Sequence, residues 1–402
     1  MPSKQVWRHA ATAPPSDLPA IDQAAFRAEI DALRAELNAN LGPADLVHLR
    51  KMQRWGRLCS LFGYATAWIM INPISAILIG LGQSARWTMI AHHVLHRGYD
   101  RVPGTPRALT SKGFAQGWRR FLDWPEWIHP QAWNYEHNRL HHFHTGELHD
   151  PDLVEHHSWL LRLPVLPMPL KALLIAVLMS TWKWLYYAPN TYWAWRQGLA
   201  NKRQAQLNAA EVAEEDVSNA WRLLYPGERL LLPLTPRALA YWLRCFLPYI
   251  AFRFVLIPAL FLPLGHAAFW AVLINSLLAE ILSNLHTFLV IVPNHAGDDV
   301  YRYDAPIRNR SEFYLRQVLG SVNYPGGRDL SDFLHGYLNY QIEHHLWPDL
   351  PMLKYRQAAP RVKAICQRHG VPYVEETVFR RFGKLWGILT GTASMRRAAP
   401  VQ

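Results

Sequence analysis

Histidine is the residue type whose placement in this sequence most clearly indicates chemistry. The chain contains 20 histidines, and eleven of them fall between His92 and His157. Three clusters stand out, with the patterns H-H-x-x-H from His92, H-x-x-x-H-H from His137, and Q-x-x-H-H from Gln341. Residues three or four positions apart share one face of a helix. We therefore expect the side chains of each cluster to point in one direction.

Imidazoles clustered at this spacing predict a metal site. Imidazole nitrogen binds iron, zinc, copper and nickel, whereas a single zinc ion takes about three or four protein ligands. The clusters supply more nitrogens than one tetrahedral ion can use, so two metal ions are the simpler interpretation. The three cysteines lie far apart and form no C-x-x-C motif, which argues against thiolate ligands and disulfides. Two iron ions that activate molecular oxygen fit this set best.

The expected ligands are histidines from all three clusters and one further histidine. The cluster ligands are His92, His96, His137, His141, His142, His344 and His345, with His93 left open. The further ligand is His286, inside the last apolar segment, or His295, at its end. A histidine within a span is a functional candidate by default, and His295 is preferred because it lies at the membrane edge.

Other polar residues near the clusters are expected to support the ligands. Gln341 is the expected catalytic residue, acting through hydrogen bonds because an amide is a poor iron ligand beside imidazole. Hydrogen bonds from carboxylates or amides would fix the imidazole tautomers, and the candidates are Asp150, Asp152, Asp332 and Asn339. The alternative for these four is an ordinary solvated position. Supporting or surface positions are expected for the histidines at 144, 149, 156, 157 and 335.

The composition indicates a membrane protein with a large water-facing part. Half of the 402 residues are apolar and the formal net charge is +12. A basic balance is typical of proteins that bind nucleic acid or an anionic membrane surface. No zinc finger or other nucleic-acid motif accompanies the charge, so no nucleic-acid partner is expected. The segment from Met1 to Pro19 has no signal-peptide pattern.

Two apolar hairpins are expected to position the histidines. The first covers 58–90 and turns at Asn72-Pro73; the second covers 247–292 and turns near Gly265. The two turns carry no Lys or Arg, whereas the opposite side is rich in both, which predicts cytoplasmic clusters and termini. The fold class is therefore all-α: an integral membrane protein with about four spans in two hairpins and a cytoplasmic helical cap holding the metal site.

The remaining segments complete the expected organisation. The pattern at 21–40 predicts an amphipathic helix. Residues 160–195 are apolar but rich in proline and aromatics, which favours an interfacial segment, and 201–229 is expected to face water. The predicted divisions are an N-terminal cytoplasmic helical segment at 1–54, a membrane domain at 55–350 and a C-terminal cytoplasmic tail at 351–402.

The three clusters and their order resemble the membrane fatty acid desaturase family. The resemblance covers roughly 55–350, and its most specific part is the last cluster, N-Y-Q-I-E-H-H-L-W-P from Asn339. Glutamine at Gln341, in place of a first histidine, is similar to the front-end subgroup, which acts on acyl lipids or sphingolipids. Many members of that subgroup carry a fused cytochrome b5 domain with a His-Pro-Gly-Gly motif. Here His129-Pro130 is followed by Gln131, and the motif is absent.

The resemblance implies an oxygen-dependent desaturase with a cytoplasmic di-iron site and a buried acyl tunnel. It also implies a membrane lipid or acyl substrate. Electrons would come from an external ferredoxin- or cytochrome b5-like protein with its reductase. The expected location is a multi-pass position in a bacterial inner membrane. Three alternatives stay open: a hydroxylase with the same ligands, a membrane zinc hydrolase acting on lipids, and a non-enzymatic metal-binding protein.

Overall fold

The structure, a computed structural model, describes residues 21–207 and 226–398. The expectation about a signal peptide lies outside this part of the chain, as does most of the expected water-facing segment at 201–229. The described residues are mostly helical, with almost no strand, as predicted. The α-helices are α1 (Gln23–Ala39), α2 (Pro43–Ala67), α3 (Pro73–Ala85), α4 (His92–Leu95), α5 (Arg120–Asp123), α6 (Pro130–Tyr135), α7 (His142–His144), α8 (Val154–His157), α9 (Met168–Trp182), α10 (Ala188–Leu207), α11 (Pro236–Tyr241), α12 (Leu247–Ile250), α13 (Ile257–Ala259), α14 (His266–Ile291), α15 (Arg310–Leu319), α16 (Asp329–Leu334), α17 (Gln341–Leu346), α18 (Met352–Arg368) and α19 (Val378–Thr390).

Short π and 3₁₀ segments join several of these helices. The π segments are Arg86–Ala91, Glu136–His141, Lys183–Tyr187, Trp242–Phe246 and Ala251–Leu256. The 3₁₀ segments are Arg107–Leu109, Gly117–Arg119, Pro226–Leu231, Leu262–Leu264, Val292–His295 and Leu338–Tyr340. Strands β1 (Tyr301–Arg302) and β2 (Arg396–Arg397) form a small parallel pair. Because π turns are often found at functional sites, the two beside histidine clusters are of particular interest.

The first hairpin forms where the sequence predicts it. Asn72 begins α3, and its side chain accepts a hydrogen bond from the Ser75 amide at 2.8 Å, as is usual for an N-cap. Asn275 of α14 donates to the carbonyls of Ala67 and Met70 in the turn, both at 2.9 Å. The two helices pack closely, since a Cβ atom on Gly56 would lie 2.8 Å from that of Ala85. Small residues permit such close packing.

Three helices in the described part of the chain are long and apolar enough to cross a membrane: Met168–Asn201, Pro236–Leu264 and His266–His295. The last two form the second hairpin, which turns as expected at Gly265, a residue with φ of 108°. Neither helix of the first hairpin combines the length and apolar composition of these three, so a count of four spans stays a prediction.

Met168–Asn201 differs from the interfacial segment that we predicted. Two of its prolines explain the difference. Pro169 occupies the first turn of α9, where no backbone hydrogen bond is lost. Pro189 lies two residues after the end of the π segment Lys183–Tyr187, and the widened turn accommodates its ring.

A layer of helices from both ends of the chain covers the histidine clusters. The amphipathic helix predicted at 21–40 is present as α1, which buries Phe26, Ile30, Leu33 and Leu37. It packs on α15 and α18. Arg34 of α1 reaches Asp349 at 3.0 Å, just after the third cluster. The proposed domain divisions at 54 and 350 stay predictions, because one apolar core includes α1, α18 and the helices between them.

Candidate metal centre

The structure brings eight histidines together into two adjacent groups. In the first group, the ring nitrogens of His92, His96, His137, His142 and His344 lie within 4.8 Å of one another. In the second, those of His141, His295 and His345 do the same. All eight side chains are buried. The groups adjoin, since the His142 and His345 rings stack with centroids 4.4 Å apart.

A π turn explains why one histidine cluster contributes to both groups. The backbone N–H of His142 donates to the carbonyl of His137, five residues earlier. In a π turn these residues lie one above the other, so both belong to the first group. His141 lies to one side of that face and joins the second group. The α-helical i, i+4 spacing that the sequence suggested is therefore replaced here by a wider turn. A second π turn, Arg86–Ala91, leads directly into His92.

Hydrogen bonds from the surrounding protein fix the rings of the second group. His141 Nδ1 donates to Asp150 Oδ1 at 2.9 Å, as expected for Asp150. His345 Nδ1 donates to Gln317 Oε1 at 2.9 Å, and His295 Nδ1 donates to the Gly320 carbonyl at 3.0 Å. In each case Nδ1 is the donor and Nε2 is left with its lone pair. This is the tautomer that a metal-binding imidazole needs. The lone pair of His295 accepts from Gln341 at 2.8 Å, a contact that a bound metal would replace. Gln317 and Gly320 were not predicted, because no motif spacing connects them to the clusters.

Asp332 and Asn339, which were also candidates for supporting the imidazoles, have a different role. Asn339 donates to Asp332 Oδ1 at 2.8 Å, and Tyr340 donates to Asp332 Oδ2 at 3.0 Å. Arg356 of α18 also pairs with Asp332, at 2.6 Å. These residues therefore anchor the segment before the third cluster to α18. Asp152 lies 3.6 Å from His141 Nδ1, farther than Asp150, and it also lines the edge of the site.

Several features of the groups fit metal ions. Nε2 of His92 lies 3.0 Å from Nε2 of His344 and 3.1 Å from Nε2 of His137, so three nitrogens converge on one position. Ring nitrogens of His96, His142 and His345 are buried and have no hydrogen-bond partner in the described residues. Buried polar atoms normally have a partner, and a metal ion would supply one.

The electrostatic environment keeps the first group neutral. Burial lowers the pKa of His96 and His142 well below the usual range, and the charges of neighbouring histidines lower it further. His141 differs: burial opposes its protonation, but the carboxylates of Asp150 and Asp152 outweigh burial and raise its pKa. Neutral imidazoles are the form that binds metal. The nearby carboxylates also make His141 a more basic ligand.

Four further candidates have distinct positions. Of the two alternatives for an extra ligand, His295 lies within the second group. His286 lies outside both groups, and its Nε2 contacts the carbonyl of Leu334 at 2.6 Å. His93 is buried and stacks on His92 with centroids 4.9 Å apart, but it is not a member of either group. Gln341 donates from Nε2 to Nε2 of His295 at 2.8 Å, and its oxygen has no partner in the described residues.

An apolar cavity of ≈ 260 Å³ leads to the histidines. His92, His137, His141 and His295 line it together with Gln341. The rest of the wall is mostly aromatic and aliphatic, and includes Trp87, Trp133, Leu178, Trp182, Tyr187, Phe288 and Ile291. Apolar pockets with a few convergent polar groups are typical of small-molecule sites. This one suits a long hydrocarbon chain with part of its length beside the metal centre.

A buried ion pair that sequence reasoning missed holds the cavity wall in place. Lys183 lies 3.3 Å from Glu280 and 3.6 Å from Glu126. Glu280 also accepts hydrogen bonds from Trp127 and Tyr249, both at 2.8 Å. Lys183 directly follows Trp182, which lines the apolar cavity. The ion pair of Lys183 with Glu280 therefore fixes the helical turn that carries Trp182. Charged residues inside apolar segments are a recognisable signal in the sequence, but their partners lie far apart along the chain.

These observations define a class of protein: a membrane protein with a multi-histidine metal site at the end of an apolar cavity. Comparison with known sequences identifies the family. The family profile described as Fatty acid desaturase matches residues 66–377, and the chain therefore belongs to the fatty acid desaturase family. It is an enzyme of lipid metabolism that acts as a desaturase on lipid or acyl substrates and uses an electron donor.

The relatives are also desaturases by name. The NADPH-dependent stearoyl-CoA 9-desaturase of Mycobacterium tuberculosis is 26% identical over 369 residues, covering 90% of this chain and 78% of the relative. The Delta(8)-fatty-acid desaturase of Euglena gracilis is 32% identical over 114 residues, covering 27% of this chain and 26% of the relative. The Delta(5) fatty acid desaturase A of Dictyostelium discoideum is 28% identical over 133 residues, covering 32% and 27%.

Proposed function

We propose that this protein introduces a double bond into the fatty acyl chain of a lipid, using dioxygen and two iron ions held by the eight histidines. The observation that carries the proposal is the contact between the apolar cavity and both histidine groups. Iron held there would supply the oxygen chemistry: two hydrogens leave neighbouring methylenes, and together with two electrons from the donor and two protons they reduce one dioxygen to two water molecules. Imidazole ligands without thiolates suit iron in oxygen chemistry.

The protein's own residues hold the chain and exclude water. Trp87, Trp182 and Phe288 give the acyl chain an apolar surface, and burial of methylenes against such a surface favours binding by about 0.8 kcal/mol each. The ion pair of Lys183 and Glu280 keeps this wall rigid. A dry, fixed cavity positions one pair of methylenes and limits access of water to the metal site.

Gln341 is proposed as a positioning residue for the second group. Its amide donates to the nitrogen of His295 that faces the site, and its unpartnered oxygen also faces the cavity region. When His295 Nε2 binds iron, its single lone pair is no longer free to accept from Gln341, and we propose that the Gln341 amide then turns to hydrogen-bond a water molecule beside the site without binding iron itself. The substitution of Gln341→Ala would then retain most of the iron and lose most of the turnover.

The electron donor is proposed to be an acidic redox protein that docks above the histidine clusters. Arg139 and Phe143 lie four residues apart on the outer side of the helical segment that carries His137 and His142, and both are exposed. Arg97, directly after His96, is also exposed, with 71% of its side chain accessible. A helix is about 10 Å thick, so a donor on this face would lie close to the metal centre. Basic surface residues attract an acidic partner.

We further propose four spans, cytoplasmic histidine clusters and a bacterial inner membrane. The tip of the first hairpin exposes Trp68, Ile69, Met70 and Ile71, which supports contact with lipid. The excess of Lys and Arg on the side of the clusters supports a cytoplasmic location. The mycobacterial relative, which covers most of the chain, supports a bacterial membrane. The front-end likeness at Gln341 favours a double bond on the carboxyl side of an existing position.

The test is product analysis in cells that express the protein and receive a deuterium-labelled fatty acid. We expect a lipid product that has lost two hydrogens, absent with His345→Ala and largely retained with His156→Ala. His345 is in the second group, whereas His156 is outside both groups. A labelled product that gains oxygen and keeps its saturation would identify a hydroxylase and contradict the proposal.

A further inference from the structure

A second cavity of ≈ 300 Å³ lies on the opposite side of the helix that leads to His92. It is enclosed by α2, the end of α3, the π turn Arg86–Ala91 and the loop between 106 and 123. Arg86 and Ile90 of the π turn line this cavity, whereas Trp87 and Thr88 line the apolar cavity beside the histidines. The two cavities are therefore separated by a single helical turn.

The charge of this second cavity is positive and incompletely balanced. Its charged lining residues are Arg57, Arg86, Arg119 and Asp123. Arg119 is neutralised, because it pairs with Asp123 at 2.8 Å. Within the described residues, neither Arg57 nor Arg86 has a hydrogen bond or ion pair with a protein group.

Nearby charges increase the need for an anion. The positive charges of Arg57 and Arg253 both repel that of Arg86. The attraction of Glu126 for Arg86 is reduced, because Glu126 also lies beside Lys183 at 3.6 Å. Gathering guanidinium groups without a matching carboxylate costs free energy. A bound anion would offset that cost, and guanidinium groups match phosphate oxygens in geometry.

The surroundings of the cavity indicate a lipid headgroup. Arg57 marks the point on α2 where exposed residues change from polar to apolar, and the apolar ones that follow are Leu58, Leu61 and Phe62. The loop on the other side exposes Trp118, Phe121 and Leu122. Exposed aromatic and aliphatic residues beside arginines are typical of the membrane interface. These surroundings favour a lipid headgroup as the anion at the mouth of the cavity.

We propose that this cavity binds the phosphate group of an anionic phospholipid. The phosphate lies between Arg57 and Arg86, and the acyl chains run along the exposed apolar side of α2. Basic pockets between membrane helices recognise anionic headgroups in this way. The bound lipid packs against the turn that presents His92 and stabilises it from the side that the substrate does not reach. The proposal does not rest on the proposed reaction, because the two cavities share no lining residue.

The experiment measures thermal unfolding of the full chain in neutral detergent while a short-chain phospholipid is added. We expect phosphatidylglycerol to raise Tm in a saturable way, because a ligand that binds the folded state stabilises it, and phosphatidylcholine to have little effect. Arg57→Gln should weaken the apparent affinity for phosphatidylglycerol about fivefold, and adding Arg86→Gln about thirtyfold in total. Arg57 is exposed, so Arg57→Gln leaves the fold intact. This single variant tests the proposal even if Arg86→Gln disturbs folding.

Arg54→Gln is the matched control, since Arg54 is exposed on the same helix and outside the cavity. It should leave the affinity unchanged. An equal loss of affinity with Arg54→Gln and Arg57→Gln would overturn the proposal, because the effect would then be general surface charge. Equal stabilisation by phosphatidylcholine would also overturn it. A third arm adds inorganic phosphate alone: if phosphate reproduces the whole effect of phosphatidylglycerol, the cavity is a free-anion site and the lipid assignment is wrong.

Discussion

Replacing Asp150 with asparagine should weaken iron binding while the protein stays folded. Asp150 Oδ1 accepts from His141 Nδ1 and from the amide of Asp152, both at 2.9 Å. Its other oxygen accepts from the amide of Gly146 at 2.9 Å. All three contacts require an acceptor. Asparagine has one acceptor atom and one donor group, so it can keep the first two contacts only by turning its NH₂ group towards Gly146.

The magnitude follows from these contacts. An unsatisfied amide at Gly146 costs about 1–3 kcal/mol of stability. The lost negative charge also makes His141 a weaker donor to metal, because Asp150 is the main group that raises its pKa. Substituting a residue that supports a metal-binding histidine typically lowers metal affinity about 10- to 100-fold, which equals about 1.4–2.7 kcal/mol. We therefore expect a folded protein with a lower Tm and iron that dissociates readily.

The assay is equilibrium competition for ferrous iron with a coloured chelator, with Tm measured in parallel. Asp100→Asn is the control, because Asp100 also orders a loop, through the amide of Ser111 at 2.7 Å, and has no contact with the clusters. It should bind iron as the unmodified protein does. The account would be contradicted if Asp150→Asn left the iron affinity unchanged, or if Asp100→Asn reduced it equally. Either result would show that the hydrogen bond to His141 has no role in the metal site.

Two further predictions concern the cavity and the electron donor. Leu178→Trp places an indole in the apolar cavity and should reduce kcat/KM for long acyl chains at least tenfold, by roughly the cost of overpacking. The same change at Leu174, which is 38% exposed on the same helix, should have little effect in a parallel product assay; equal losses would contradict the assignment of the cavity. Arg139→Glu should raise the KM for an acidic electron donor and weaken its dependence on salt, with kcat unchanged. Arg380→Glu, at another exposed arginine, should do neither, and steady-state kinetics at two salt concentrations would show whether the two variants differ.

The sequence predicted the parts of the site that have local spacing. Each of the three clusters forms a helical segment with buried imidazoles, and His295, which was preferred over His286, lies in the second group; the ligand assignment itself stays a prediction. The π turn at Glu136–His141 was missed. It places His142 beside His137 in the first group and His141 in the second, although the His137 and His141 rings still stack with centroids 5.2 Å apart. No residue pattern distinguishes this turn from an α-helical one. The spacing therefore indicated a metal site but not how the ligands divide into two groups.

Contacts between distant segments were beyond sequence reasoning. Gln317 reaches His345 across 28 residues, and Lys183 reaches Glu280 across about 100. Lys183 and Glu280 are recognisable as charges in apolar segments, but nothing in the sequence pairs them, and only the packing of helices brings the partners together. The segment Met168–Asn201 was misjudged for a related reason: its prolines suggested a broken helix, whereas a first-turn position and a π turn accommodate two of them.

The central claim is that two iron ions bind to the two histidine groups, and metal content tests it most directly. Protein purified from iron-replete cells should contain about two irons per chain and little zinc, because eight imidazole ligands exceed what one ion can use. His345→Ala, which removes one of the three histidines of the second group, should lower the iron content clearly, while His156→Ala should not. Elemental analysis that finds one zinc per chain and negligible iron would contradict the account.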